Sequence, residues 1–289
     1  MSLNFKRRRI LKAGVASLFA GSTATLLIES DKVVEQKNIN VQAHSSEYDA
    51  EVKDNLHKVK NFNQNFSDDI FLTPEKKVVF QSTLERILRV KKVIGYANFN
   101  LIGFDDMLLY AHRYPKIGRF TKAELALIDE MFFYDANEYG FHGSKVIKEL
   151  TSKINKKETI KIASSGHYLF KGEALNKFNQ LKKDVGPELV LTSGVRSIVK
   201  QLQLFLSKLA ASNGNLSLAS RSLAPPGHSY HGIGDFDVGK KNFGVFNFTS
   251  KFAQTEEYKR LIELKYIDLR YTKDNQVGVR YEPWHIKVV

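Results

Sequence analysis

Two short stretches constrain this chain more than anything else in it. One is Gly227-His-Ser-Tyr-His231-Gly-Ile-Gly234-Asp-Phe-Asp237; the other is Tyr281-Glu282-Pro-Trp-His285. Together they hold two histidines, a choice of aspartates and one glutamate. Hydrolases hold zinc with that set: neutral imidazoles and a carboxylate ligate the metal, one position stays open for water, and a nearby glutamate moves protons. The inventory becomes a site only if the fold brings the two stretches together. The chain has no cysteine, which excludes disulfides, thiolate metal sites and cysteine nucleophiles together. Any metal must be held by His, Asp or Glu.

A length of 289 residues allows one or two domains with ample core. The formal net charge is +13, and Lys6, Arg7, Arg8, Arg9 and Lys12 contribute to it within a start that contains no acid. The rest of the chain is still basic and favours anionic partners, either nucleic acid or an anionic cell envelope. Arg7-Arg8-Arg9-Ile10-Leu11-Lys12 is followed by an apolar, small-residue stretch from Ala13 to Ile28. A charged region followed by a short apolar one reads as an export signal, and Arg-Arg-x-apolar-Leu-Lys resembles the bacterial twin-arginine type. The apolar stretch is short and weakly hydrophobic for a permanent span. Ser22-Thr-Ala24 is a possible cleavage point, and contact with the membrane is expected to be transient.

Residues 31–70 are polar and read as a linker or loosely packed arm. A helical region is expected over 71–159. Thr73-Pro74-Glu75 signals a helix start, with Val78, Val79, Leu84, Ile87, Leu88 and Val93 recurring at roughly helical spacing. Thr121-Lys-Ala-Glu124 is a capping box that opens a further helix, with Leu125, Ile128, Met131 and Phe132 on one face. Phe104, Met107, Leu108 and Tyr110 suggest a helix between these two. His112, His142 and His167 have no partner at ligand spacing and are left aside; His167 sits in a turn, Ser164-Ser-Gly-His-Tyr168, close to the C-terminal core.

From about residue 160 the pattern mixes α and β. Helices are expected over Glu173 to Lys183, Arg196 to Ala211 and Thr255 to Leu264. Strands are expected at Leu189-Val-Leu-Thr192, at Asp235-Phe-Asp-Val238 and after Val277-Gly-Val-Arg-Tyr281. Strands separated by helices and long loops predict an α+β fold with a small, mostly antiparallel sheet and flanking helices.

Ser193-Gly-Val-Arg196-Ser197 with Gln201, then Ser229-x-His231-x-x-Gly234 with Asp237, then Glu282-Pro-Trp-His285, occur in that order. In residues, spacing and order they resemble the zinc D-alanyl-D-alanine carboxypeptidases of the VanY type, peptidase family M15. The resemblance covers residues 160–289 and implies a Hedgehog-like peptidase fold there. It implies that His231, Asp237 and His285 are zinc ligands and that Glu282 is the catalytic base. It further implies that Arg196 binds the substrate's terminal carboxylate, with Gln201 and Ser229 lining the site. The first stretch is one residue shorter than the family's Gly-x-Ala-x-Asp pattern, so Asp235 competes with Asp237 for the ligand position.

The residues themselves agree with such a mechanism. Glu282 and His285 would face opposite sides of a regular strand. Pro283 cannot donate to a strand ladder, so a bend at Pro283-Trp284 would turn both toward one metal, leaving Trp284 to pack. Arg196 offers a planar, permanently charged fork suited to a carboxylate. The expected partner is a peptidoglycan stem peptide, cut by a monomeric enzyme exported to the bacterial periplasm or envelope. Within the same fold the alternatives are an endopeptidase and a catalytically silent wall-binding protein. Nucleic-acid binding has no motif to support it and conflicts with the export signal.

Overall fold

Local signals set most of the helical half. In the computed structural model, which describes residues 48–289, the first helix (α1) spans residues 48–60. It is followed by α2 (Pro74–Ile94), α3 (Tyr96–Phe99), α4 (Phe104–Arg113) and α5 (Lys122–Phe133). The twin-arginine-type segment, its cleavage point and the first part of the 31–70 stretch lie outside the described residues. α2 starts at Pro74, where a missing N–H costs nothing. α5 starts with the predicted reciprocal capping box: Glu124 N–H donates to Thr121 Oγ1 at 3.1 Å, and Thr121 N–H to the Glu124 carboxylate at 2.8 Å.

Two inward faces differ from the sequence reading. In α2 the buried stripe is Phe80, Thr83, Leu84, Ile87 and Val90. Val78 and Leu88 face solvent, because on a 3.6-residue period they fall opposite that stripe. In α5 Leu127 joins Ile128, Met131 and Phe132 inside, while Leu125 is only partly buried.

The end of the stretch read as a linker is folded. Besides α1, Asp69 accepts two hydrogen bonds from Arg221, at 2.7 and 3.0 Å, and one from Asn215 at 2.7 Å. Arg221 also donates to Gln64 O, and Leu72 N–H bonds Gly214 O at 2.8 Å. Over residues 48–70 the expected loose arm is therefore corrected. A buried ion pair and backbone bonds fix this segment, and neither shows in hydrophobic periodicity.

Two antiparallel sheets follow. Strands β1 (Thr159–Lys161) and β2 (Tyr168–Phe170) pair across a turn in which Ser164 and Gly166 have positive φ. After α6 (Glu173–Val185) come β3 (Leu189–Ser193), α7 (Ile198–Ala211), α8 (Leu216–Ser220), β4 (Phe236–Lys240), α9 (Glu256–Glu263) and β5 (His285–Ile286). β4 lies between β3 and β5, antiparallel to both. Its register sets Asp237 beside Ser193 on one side and beside His285 on the other. The fold class is the predicted α+β, with small antiparallel sheets.

Hydrophobic packing falls into two clusters. Leu189, Leu191, Phe236, Val238 and Trp284 of the sheet region pack with Phe178 and Leu181 of α6 and Leu261 of α9. The other cluster joins Ile198, Val199, Leu202, Phe205, Leu206 and Leu209 of α7 to Ile87, Met107, Ile128 and Phe132 of α2, α4 and α5. The boundary expected at 159/160 is thus crossed by a continuous core, and residues 49–289 form one compact unit. No described helix is long and apolar enough to cross a membrane.

Candidate metal centre

Three segments interlock to hold His231. It sits in the short 3-10 turn Tyr230–Gly232, directly after Ser229. Its Nδ1 bonds Gly194 O at 2.9 Å, and its own carbonyl accepts from Arg196 N–H at 3.1 Å. The donation from Nδ1 fixes the tautomer and leaves the Nε2 lone pair free. Gly194 is required here. A Cβ on it would lie 2.0 Å from Tyr168 O, the atom that accepts from Val195 N–H. Next to it, the β3–β4 register shifts between Leu191 and Ser193, a bulge of the kind that re-aims side chains beside a site.

Asp237 reaches the same point from the central strand. Its Oδ1 lies 3.2 Å from His231 Nε2 and 3.4 Å from His285 Nδ1, and its Oδ2 accepts from Arg196 Nη2 at 2.8 Å. His285 arrives on β5 just after a turn at Pro283-Trp284, closed by His285 N–H to Glu282 O at 3.2 Å. The expected bend is present, and it sets Glu282 Oε2 3.2 Å from His285 Nδ1. One ligand atom from each of His231, Asp237 and His285 lies within 4.8 Å of the other two.

Asp235 is built into a different position. Its carboxylate accepts from Arg270 at 2.8 and 3.1 Å, from Val288 N–H at 2.8 Å and from His285 Nε2 at 3.1 Å. It therefore stands behind His285 and directs Nδ1 toward Asp237 and Glu282, as a carboxylate behind a ligating imidazole does.

The charges are matched to a cation. Burial, reinforced by the Arg196 charge, holds the His231 pKa below its ordinary value, which keeps the ring neutral. Burial opposes ionisation of Asp237, but the positive charges facing it, with Arg196 bonded to Oδ2 and His285 beside Oδ1, outweigh it and bring its carboxyl down to about 2. Burial likewise opposes charge on His285, but hydrogen bonds to Asp235 and Glu282 and the Asp237 charge push it up to about 9. A proton on Nδ1 and a metal ion would compete for the same lone pair. His231 Nε2 and Asp237 Oδ1 are buried and lack a hydrogen-bond partner. Two facing unpartnered ligand atoms with a second imidazole beside them, two nitrogens and one oxygen in all, fit zinc with one position open.

The cluster lies in a cleft of about 360 Å³ whose walls include Arg196, Ser229, Tyr271, Arg280, Glu282 and Trp284. Arg196 and Ser229 are on the wall as expected. Gln201 is not; it is buried behind Arg196, accepting from Nη1 at 3.4 Å and donating to Ala224 O. Trp284 packs in the sheet cluster as expected and also touches the cleft. His167, set aside on sequence, reaches the wall with its Nε2 3.4 Å from Tyr96 Oη. Burial, helped by Arg196 and Lys200, lowers its pKa to about 4. Sequence reading also missed Tyr96, Lys200, Arg270 and Tyr271. None belongs to a spaced motif, although Asp235, standing two before Asp237, was a signal to look for a cation behind His285.

Residues 171–289, about two fifths of the chain, match the family model "VanY: D-alanyl-D-alanine carboxypeptidase". Similar solved structures include the following three. A vancomycin resistance D,D-pentapeptidase VanY with Zn(II) shares 23% identity over 46% of this chain and 78% of its own, at a TM-score of 0.34. The LdcB LD-carboxypeptidase shares 25% over 45% and 63%, at 0.32. The D,D-dipeptidase VanXYg, in complex with a D-Ala-D-Ala phosphinate analogue, shares 18% over 52% and 64%, at 0.36. A search of curated proteins returned no match.

Proposed function

We propose that this chain, whose residues 171–289 carry a VanY-type D-alanyl-D-alanine carboxypeptidase domain, is a zinc peptidase that removes the terminal D-alanine from peptidoglycan stem peptides. One observation carries the proposal: His231, Asp237 and His285 converge with Glu282 beside them on the wall of a cleft inside the matched segment. His231 Nε2, an oxygen of Asp237 and His285 Nδ1 would hold the metal, with Asp235 orienting His285. Zinc bound there supplies a Lewis acid that polarises the scissile carbonyl and lowers the pKa of water from about 16 to about 7.

The remaining chemistry belongs to the chain. Glu282 takes the proton of the attacking water and returns it to the departing amine, a shuttle that needs one carboxylate within reach of both. Its backbone is fixed by donation to Tyr271 O at 3.0 Å. Arg196 spends Nη2 on Asp237 and keeps a face on the cleft for the substrate's terminal carboxylate, with Ser229 on the same wall. Gln201 supports Arg196 from behind. The Arg7-Arg8 segment supports export to the bacterial envelope, where this substrate lies, with transient membrane contact; the enzyme is proposed to act as a monomer.

The test is mass spectrometry of purified muropeptides after incubation with the zinc-loaded protein. Loss of one terminal D-alanine is expected. Cleavage elsewhere in the stem identifies an endopeptidase, and intact muropeptides reject the enzyme. Glu282→Ala should end hydrolysis while about one zinc per chain remains bound; surviving activity would remove Glu282 as the base.

A further inference from the structure

Lys200 stands in the first turn of α7, one turn past Arg196. It is only 5% exposed, yet its side chain lines the cleft. Its ammonium lies 5.1 Å from the Tyr96 ring centroid and 5.8 Å from that of Phe99. Among the described residues its hydrogen-bond partner is Gln203 Oε1, at a long 3.4 Å, and no acidic side chain pairs with it. Arg196 is different, because Asp237 balances its charge and Ser193 and Gln201 take up part of its fork, leaving the rest on the cleft. The other groups at this end, Tyr96 and His167, carry no compensating negative charge. A cation held in a cleft without a counter-ion is costly, and here burial, with Lys91 and Arg196 nearby, lowers the ammonium pKa to about 7. The group that would satisfy this ammonium is an anion arriving in the cleft.

We propose that Lys200 binds a carboxylate of the substrate, giving the cleft an anion-reading group beyond Arg196. The inference rests on the peptidoglycan-peptidase reading above and narrows its substrate class to stem peptides with a carboxylate at this end of the cleft. The ammonium donates charge-assisted hydrogen bonds, and the flanking Tyr96 and Phe99 rings exclude water that would weaken them. Two sources share this chemistry. One is the terminal carboxylate of the departing D-alanine. The other is the side-chain carboxylate of a diamino diacid further back in the stem.

The experiment compares the zinc-loaded wild type with Lys200→Met and Lys200→Arg on two synthetic pentapeptides ending in D-Ala-D-Ala. One has lysine at the third position and the other meso-diaminopimelate. Lys200→Met is expected to raise KM about 10- to 100-fold, the scale of a lost hydrogen bond to a charged group, with kcat nearly unchanged; Lys200→Arg should recover most of the loss. An equal loss on both peptides assigns the terminal carboxylate. A loss confined to the diaminopimelate peptide assigns the side-chain one. An unchanged KM on both overturns the proposal. Calorimetric binding of the same peptides needs no turnover, so it tests Lys200 even if the wild type hydrolyses neither, an outcome that counts against the peptidase reading alone. Lys200→Met removes a buried unpaired charge and should raise Tm, so weaker binding by a more stable protein cannot be ascribed to misfolding.

Discussion

Asp235→Asn tests whether the carboxylate behind His285 builds the site. In the wild type both oxygens of Asp235 are buried, and they accept from Arg270, His285 Nε2 and the Val288 and Val289 amides. An amide of the same shape keeps one accepting oxygen and places an N–H₂ against a donor. It also leaves the Arg270 guanidinium, 13% exposed, without its counter-charge. Stripping one partner from a buried pair costs about 3–5 kcal/mol. The retained oxygen and the Arg270 stacking on Tyr230, 3.6 Å from the ring centroid, point to the lower end, about 3 kcal/mol. For a folded unit of this size that corresponds to a fall in Tm of roughly 6–12 °C. Loss of the group that orients a ligating imidazole should also weaken zinc affinity about 10- to 100-fold. Scanning calorimetry of the metal-free protein and competition against a zinc chelator measure the two effects separately. A variant with unchanged Tm and zinc affinity within about twofold of wild type would refute the reasoning and make Asp235 an incidental neighbour. Asp237→Ala should instead abolish stoichiometric zinc; if zinc is lost only on changing Asp235, the two roles are reversed.

Gly194→Ala puts a methyl 2.0 Å from Tyr168 O, so the loop holding Arg196 and the Gly194 O–His231 bond must shift; a stability loss of about 1–3 kcal/mol in urea titration, with weakened zinc binding, is expected. The Lys200 pKa of about 7 in the folded chain lies below its ordinary 10.5, so between those values the unfolded chain binds the extra proton. Wild-type stability should therefore rise as pH rises through that window, and pH-dependent urea titrations of Lys200→Met should lack the rise. Asp69→Ala strands buried Arg221 and should cost about 3–5 kcal/mol, with faster proteolysis over residues 48–70. Arg221 and Asn215 hold the Asp69 carboxyl below its usual range despite burial. Its contribution is therefore present above the ordinary carboxylate range and lost on acidification, and the variant should lack that acid-linked loss.

The metal cluster was legible because its residues belong to short, ordered motifs. The different surroundings of Asp235 and Asp237 could not be read without the β4 register, which sets Asp237 opposite His285 and leaves Asp235 to Arg270. The α5 capping box was readable since both halves are local. The α2 face was misread because Val78 and Leu88 are as apolar as the residues that pack, and only tertiary contact separates them. Residues 48–70 were misread because a polar segment was taken to lack anchors, whereas Asp69 finds Arg221 far away in sequence. Lys200 was invisible for a related reason. A lysine in an amphipathic helix normally faces water, and only the packing of Tyr96 and Phe99 from the helical region closes over it.

The core that joins α7 to α2, α4 and α5 makes the family-matching segment a poor module. A fragment of residues 171–289 would carry every proposed metal ligand, yet it would bare Val199, Leu202, Leu206 and Leu209 along one whole side of α7. The same cut removes Tyr96 and His167 from the cleft wall. Grafting the matching segment onto another scaffold would transplant the chemistry without the groups that close one end of the cleft. The heritable unit of sequence and the physical unit of folding differ in this protein. Engineering of its specificity should begin in the helices that the sequence match leaves out.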